Sequence, residues 1–333
     1  MTRISAGDAS LTNILARQGA ELRAQVQRAS IEVTTGRQTD VAQALRGDIA
    51  PLLAIDASLS RLAAFKTTTS DAAFQAGAQQ SAIAGLSSLA EGITTTLLGA
   101  RDFPTPAQVN SAAADARARL ESVIGLLNTQ ASGRAVFSGV ATDTVPLGTS
   151  DDLLAALEAA AAGSTTAGQV AAAVVNWFAD PLGFGTFYQG GTPLSPAPIA
   201  PGEGADLSTT ALDPSIRDTL AGFAMAALID RGMLASNAEE RSRLAQRAGQ
   251  ELLVSENARI GLASRIGTVE SQIESARSRN AAEGTALGIL RSDIGSVDPY
   301  EAATRLETAR AQLESLYLVT ARVSRLSLVD FLR

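Results

Sequence analysis

The chain has no cysteine and no histidine. That removes disulfides, thiolate or imidazole metal ligation, thiol nucleophiles and imidazole proton transfer. Aromatic residues are only 4% of the sequence while hydrophobic residues are 46%. The apolar content is therefore aliphatic and alanine-rich, the composition of helices packed along their lengths. Lysine occurs once, at Lys66, and the other basic residues are scattered arginines. With 27 basic against 34 acidic residues the formal charge is -7, which leaves no concentrated positive surface for a nucleic-acid backbone. No window holds the roughly 18 uninterrupted apolar residues of a membrane span, and Met1 to Asp8 lacks the apolar run of a cleavable secretory signal. A carboxylate-only glycosidase site and an oxygen-ligand metal site are the catalytic classes left open. The acids mostly stand singly in helical patterns, however, and Asp151-Asp152 and Glu239-Glu240 read as first-turn helix charges. The chain is read as no enzyme, with no cofactor, metal, nucleic acid or membrane as partner.

What the sequence does have is two heptad stripes at its two ends. From Asp298 to Arg333, Ala302, Leu306, Ala309, Leu313, Leu316, Thr320, Val323 and Ser327 recur in alternating steps of four and three. A repeat of 3.5 residues asks for a partner helix. Leu11, Leu15, Leu22, Val26, Ala29 and Val33 make a matching stripe near the other end, with Gln18, Glu21, Arg23 and Arg28 between them. Small residues alternate with large ones, which permits close approach. These ten larger or central positions (Leu11, Leu15, Leu22, Val26, Ala29, Val33, Leu306, Leu313, Leu316 and Val323) are the expected subunit interface.

Between the ends, helical periodicity predicts helices over 10–35, 51–98 and 107–129, with Gly36 as a C-cap and RDFPTP at 101–106 as a breaker. Composition shifts at Val140: seven of the 11 prolines fall between Pro146 and Pro214, with a glycine-rich run at 183–193 and the single tryptophan, Trp177. There the pattern predicts a helix over 151–162, a helix or strand over 166–178, a strand over 184–188 and an exposed loop over 193–204. The aromatic residues of this stretch read as a small local core. Helix returns over 215–234 and as one run over 237–282. Gly284, Gly288 and Gly295 then interrupt the path to the last helix.

Three segments together carry a resemblance. LRAQVQRASIEVTTGR at 22–37, DPYEAATRLETARAQLESLYLVTARVSRLSLVDFL at 298–332 and QASGRAVFSG at 130–139 are similar to the bacterial flagellin superfamily. The third is similar to the glycine-arginine-aromatic-phenylalanine-serine-glycine element of its hook-associated protein 3 family. Ala135 and Val136 stand where that element has a bulky aromatic, and no paired-acid-proline run follows Arg37.

The expected fold is mainly α, an elongated helical rod with coiled-coil termini and an inserted mixed α/β or β-rich domain. The expected segments are a terminal layer at 1–44 and 296–333, a shaft at 45–139 and 214–295, and a tip domain at 140–213. The resemblance implies a non-enzymatic subunit at the junction of hook and filament, with the first hook-associated protein and flagellin as neighbours and a ring of its own copies. It also implies an export chaperone, type III export without signal cleavage, an extracellular place in the flagellum, and terminal helices ordered only on assembly. A filament-forming flagellin and a non-flagellar coiled-coil adaptor are the alternatives.

Overall fold

The computed structural model describes residues 6–102 and 105–331, and side chains for residues 13–100 and 105–322. In chain order the helices are α1 (Ala6–Thr35), α2 (Val41–Ala44), α3 (Ala50–Leu98), α4 (Pro106–Leu127), α5 (Ser150–Ala160), α6 (Ala167–Ala179), α7 (Phe184–Phe187), α8 (Pro214–Asp230), α9 (Ala238–Val254), α10 (Glu256–Gly295) and α11 (Pro299–Phe331). A short 3-10 helix (Gly99–Asp102) and two small antiparallel hairpins, β1 (Gln130–Ala131) with β2 (Arg134–Ala135) and β3 (Ala197–Ala200) with β4 (Glu203–Ala205), complete the set among the described residues. Two compact units result: residues 63–281, and residues 1–62 with 282–333.

The core of residues 63–281 is built around α8. Its sequence, PSIRDTLAGFAMAALID, has scarcely a polar face, and it is buried from Ser215 through Ile229 apart from Arg217 and Asp218. A helix apolar all round belongs at the centre. Helices α4, α6 and α9 pack on it. Close approach to α9 depends on Gly222, where an added methyl would stand 2.8 Å from Leu252 Cγ. The chain after Val140 does not hold a separate core. Leu153, Leu157, Val170, Val174, Phe178 and Phe184 belong to the same buried cluster as α3, α4, α8 and α9. Caps set the helix starts here: Thr149 with Asp152 and Thr166 with Gln169 form capping boxes, and Asp213 caps Ser215 N with Pro214 following.

The QASGRAVFSG element is an exposed turn that leads into a buried stretch from Ala135 to Gly139. Ser132 and Gly133 both have positive φ, 52° and 75°, as a two-residue hairpin between β1 and β2 requires. Phe137 and Ser138 are then fully buried. Ser138 O accepts from Gly191 N at 2.8 Å, and Thr192 O accepts from Val140 N at 2.9 Å. Gly139, at φ 60°, leaves no room for a side chain: an added Cβ would meet Thr192 O at 2.2 Å.

Three expectations fail. Residues 184–187 form a helical turn, not a strand, because Phe184 and Phe187 both turn inward toward Trp177. Residues 193–204 are not a free loop. Their hairpin lies on α3 and α10 through Ile199, Ala200 and Ala205 against Ala72, Ala76 and Ile273, with the Asn280 amide donating to Ile199 O at 2.8 Å. The 237–282 helix is broken at Ser255, whereas Gly284 and Gly288 do not interrupt α10 at all. At the break the Leu252 carbonyl, which a continuing helix would bond through the amide four residues on, accepts from Ser255 Oγ and Arg259 Nη1, both at 3.1 Å. Side chains inserted into the ladder are a common origin of a kink.

Candidate assembly interface

Helices α1 and α11 lie side by side and antiparallel. Glu32 pairs with Arg305 at 3.4 Å, and thirteen residues earlier a methyl added at Gly19 would stand 3.4 Å from Leu316 Cδ2. Both helices are positioned by what stands at their inner ends. Gly36, with φ 67°, ends α1 and bonds Glu32 O, the left-handed C-cap that glycine permits without strain. Asp298 starts α11 by accepting from Tyr300 N at 2.8 Å and Glu301 N at 3.3 Å. The two connectors then hold each other: Val297 N donates to Gly36 O at 3.1 Å, Gln38 N to Gly295 O at 3.0 Å, and Gln38 Nε2 to Ser296 O at 3.0 Å.

On the facing sides, Ala29, Ala302 and Ala309 are buried, while Leu15, Leu22, Val26, Leu306, Leu313 and Leu316 are half-buried. Two helices alone cannot close around a heptad seam, so its larger residues keep one flank in water. Val33 is 41% exposed and lies on the outer side of the pair, while Glu32 takes the inner position, anchored by Thr39 N at 3.1 Å, Thr39 Oγ1 at 2.8 Å and Arg305. Thr320 is also exposed. The side chains of Leu11, Val323 and Ser327 lie outside the described residues. Sequence reasoning missed Gly19, although it fills the vacant heptad position between Leu15 and Leu22. It also missed Gln38 and Arg305, which carry no periodic signal.

Outside the seam, large apolar side chains are bare. Tyr300 is 83% exposed and Leu318 65%, and Tyr317, Val319, Ile14 and Ile31 are exposed too. Beside the pair lies a groove of about 590 Å³ between α1, α2 and α11, with Ala29 and Ala309 as its floor and Arg28, Glu32, Asp40 and Arg305 on its walls. The Gln38 Oε1 at its edge is buried without a hydrogen-bond partner. Such a surface can bind helices. Among the described residues no cluster of metal-ligating side chains occurs, and no helix is long and apolar enough to cross a membrane.

Residues 259–332, which contain α11, match the family model of the bacterial flagellin C-terminal helical region. The chain also superposes on the crystal structure of Bacillus cereus FlgL with a TM-score of 0.51 and 13% identity, covering 72% of this chain and 98% of that one. The fold is flagellin-like. A structure of a putative flagellar hook-associated protein from Vibrio parahaemolyticus aligns over 73% of this chain and 96% of that one, at a TM-score of 0.48 and 13% identity. No curated protein sequence matches.

Proposed function

We propose that this chain is a structural, non-enzymatic subunit of the bacterial flagellum that joins hook to filament. The observation that carries the reading is the half-covered α1–α11 pair, whose seam and bare apolar residues ask for further helices. Copies of the chain in a ring, the first hook-associated protein on one side and flagellin on the other would supply them. Leu15, Leu22, Val26, Ala29, Leu306, Leu313 and Leu316 then pack between subunits, flanked by Leu11, Val33 and Val323. In this reading residues 1–44 and 296–333 are the assembling layer, residues 45–139 and 214–295 the shaft, and 140–213 an outer elaboration. The place of action is outside the cell, reached through the flagellar type III apparatus with an export chaperone.

Leu313→Glu tests it. The residue is absent from the buried clusters of residues 63–281, so the thermal midpoint of that unit in the purified protein should stay unchanged. A charge in a seam covered by neighbours costs several kcal/mol. Cells carrying this variant as their sole copy should lose motility and shed flagellin into the medium. Retained motility refutes the reading. The match of residues 259–332 to a flagellin region also favours a filament subunit as a second reading. Electron microscopy of purified protein under salting-out conditions separates the two, because a filament subunit grows long filaments unaided and a junction subunit does not.

A further inference from the structure

Residues 63–281 carry two exposed apolar features of different shape. The first straddles the break between α9 and α10. Val254 is 73% exposed, and Leu253 and Ile260 are exposed beside it. The exposed side chains from 253 to 264 are Leu253, Val254, Asn257, Ala258, Ile260 and Ser264, none of them charged. A charge-free apolar strip on a helix surface is the composition of an interface centre. Its border is acidic: Glu251 and Glu256 lie on the same helices, and Glu91 on α3 is close enough to act on the Arg259 charge. None of the three forms a salt bridge with the described residues. Burial and the nearby Asp218 make the Glu251 carboxyl harder to ionise, as expected of an acid short of cationic neighbours.

The second feature is a cleft of about 190 Å³ between α3 and the β1–β2 hairpin. Phe74, 57% exposed, forms one wall. Arg134 forms another, and it makes neither ion pair nor side-chain hydrogen bond to the described residues; Asp71 is the one acid in the lining. The cleft has the volume of about six waters, enough for one branched aliphatic side chain.

The two features cannot meet within one chain. Gly77 of α3 lies against Glu270 of α10, and Gly249 of α9 against Leu97 and Leu98, so α3 runs antiparallel to α9 and α10. Val254 is then level with about residue 93 of α3, some nineteen residues or about 30 Å from Phe74. From shape and charge together we infer that the Leu253–Val254–Ile260 strip of one copy docks on the Phe74–Arg134 cleft of a second copy of this chain. The aliphatic strip meets the aromatic wall, and free Arg134 meets the unpaired acids. Two unlike faces on one body make a heterologous contact, the kind that closes a ring. The inference rests on the proposed assembly into a ring, and it names the contact that residues 63–281 contribute.

The absence of cysteine makes the test direct. Flagella are isolated from cells expressing two full-length copies of the chain, one with Phe74→Cys and one with Val254→Cys, and are oxidised under mild conditions. A covalent dimer is expected only when both variants are present, since a disulfide needs Cα atoms within about 7 Å. Arg134→Glu in the Phe74→Cys copy should lower the yield at least fivefold. Overturning results are dimers of either variant alone, which would mean a two-fold contact, no dimer in flagella from motile cells, or a yield indifferent to Arg134→Glu. If cells lacking the chain remain fully motile, the junction reading fails instead. The same oxidation of the concentrated purified protein under salting-out conditions then decides the docking by the same criteria.

Discussion

Arg259→Met should leave the protein close to wild-type stability, although Arg259 is among its most buried polar side chains at 2% exposure. Its three side-chain hydrogen bonds all leave one nitrogen: Nη1 stands 2.7 Å from Ser255 Oγ, 3.1 Å from Leu252 O and 3.2 Å from Thr219 Oγ1. A guanidinium Nη carries two protons, so two bonds at most are well formed at once. Nε has no partner. Burial opposes the charge and lowers the pKa from its ordinary value, with Glu256 and Glu91 acting against this. Removing the guanidinium strands nothing. Ser255 Oγ still donates to Leu252 O at 3.1 Å, and Thr219 Oγ1 to Ser215 O at 2.7 Å. Two hydrogen bonds to a charged group contribute about 3–6 kcal/mol. Desolvating the ion costs several kcal/mol, and a buried methionine returns about 2 kcal/mol. The sum is near zero, within about 1.5 kcal/mol, which corresponds to roughly 3–6 °C for a unit of this size. Arg259→Ala, by contrast, leaves a cavity and should cost about 2–5 kcal/mol. Thermal unfolding followed by circular dichroism gives both values. If the methionine variant falls as far as the alanine variant, the bonds outweigh the burial and the reasoning is wrong.

Gly139→Ala should be among the most damaging single methyl additions, because the positive φ and the Thr192 carbonyl exclude a Cβ together; a drop in Tm below about 5 °C would contradict this. For Glu251 the sign follows from a folded-state pKa held up first by burial and then by Asp218. The folded protein binds that proton more tightly than the unfolded chain, so stability is lost as pH rises from the unfolded value through the folded one. Glu251→Gln should therefore raise Tm at about pH 7.5 and leave it unchanged at about pH 3, below the ordinary glutamate value; equal gains at both would refute the cause. Asn280→Ala should cost about 1–3 kcal/mol by leaving the buried Ile199 carbonyl without its donor, and hydrogen exchange should quicken in β3 and β4 while α8 stays protected.

The long helices were legible because burial repeats at the helical period along α1, α3 and α11, and because Pro51, Pro106, Pro214 and Pro299 lie where first turns begin. The terminal pair was legible for the same reason, down to the buried Ala302 and Ala309. What sequence could not display were features fixed from outside their own segment. Ser255 and Arg259 are ordinary helix residues, and nothing in their own segment shows that the Arg259 side chain reaches Thr219 of α8. The proline-rich 193–204 stretch looks like solvent-exposed turn chemistry until Ala72, Ala76 and Ile273 give Ile199 somewhere to go. Val33 holds a correct heptad position, and it is the anchoring of Glu32 by Thr39 that turns the helix away from it.

The bonds between the connectors also set a timetable. Gln38 meets Ser296 across 258 residues of chain. At about 5–20 residues per second of synthesis, α1 leaves the ribosome on the order of 10–50 s before the helix it pairs with exists. Closing so long a loop early is entropically unfavourable, and contacts of this separation form late. Residues 63–281 hold a core that needs neither terminal helix, so they are free to fold during the wait. For that interval α1 carries an unmatched heptad stripe, and its apolar positions stay without their partner until α11 arrives.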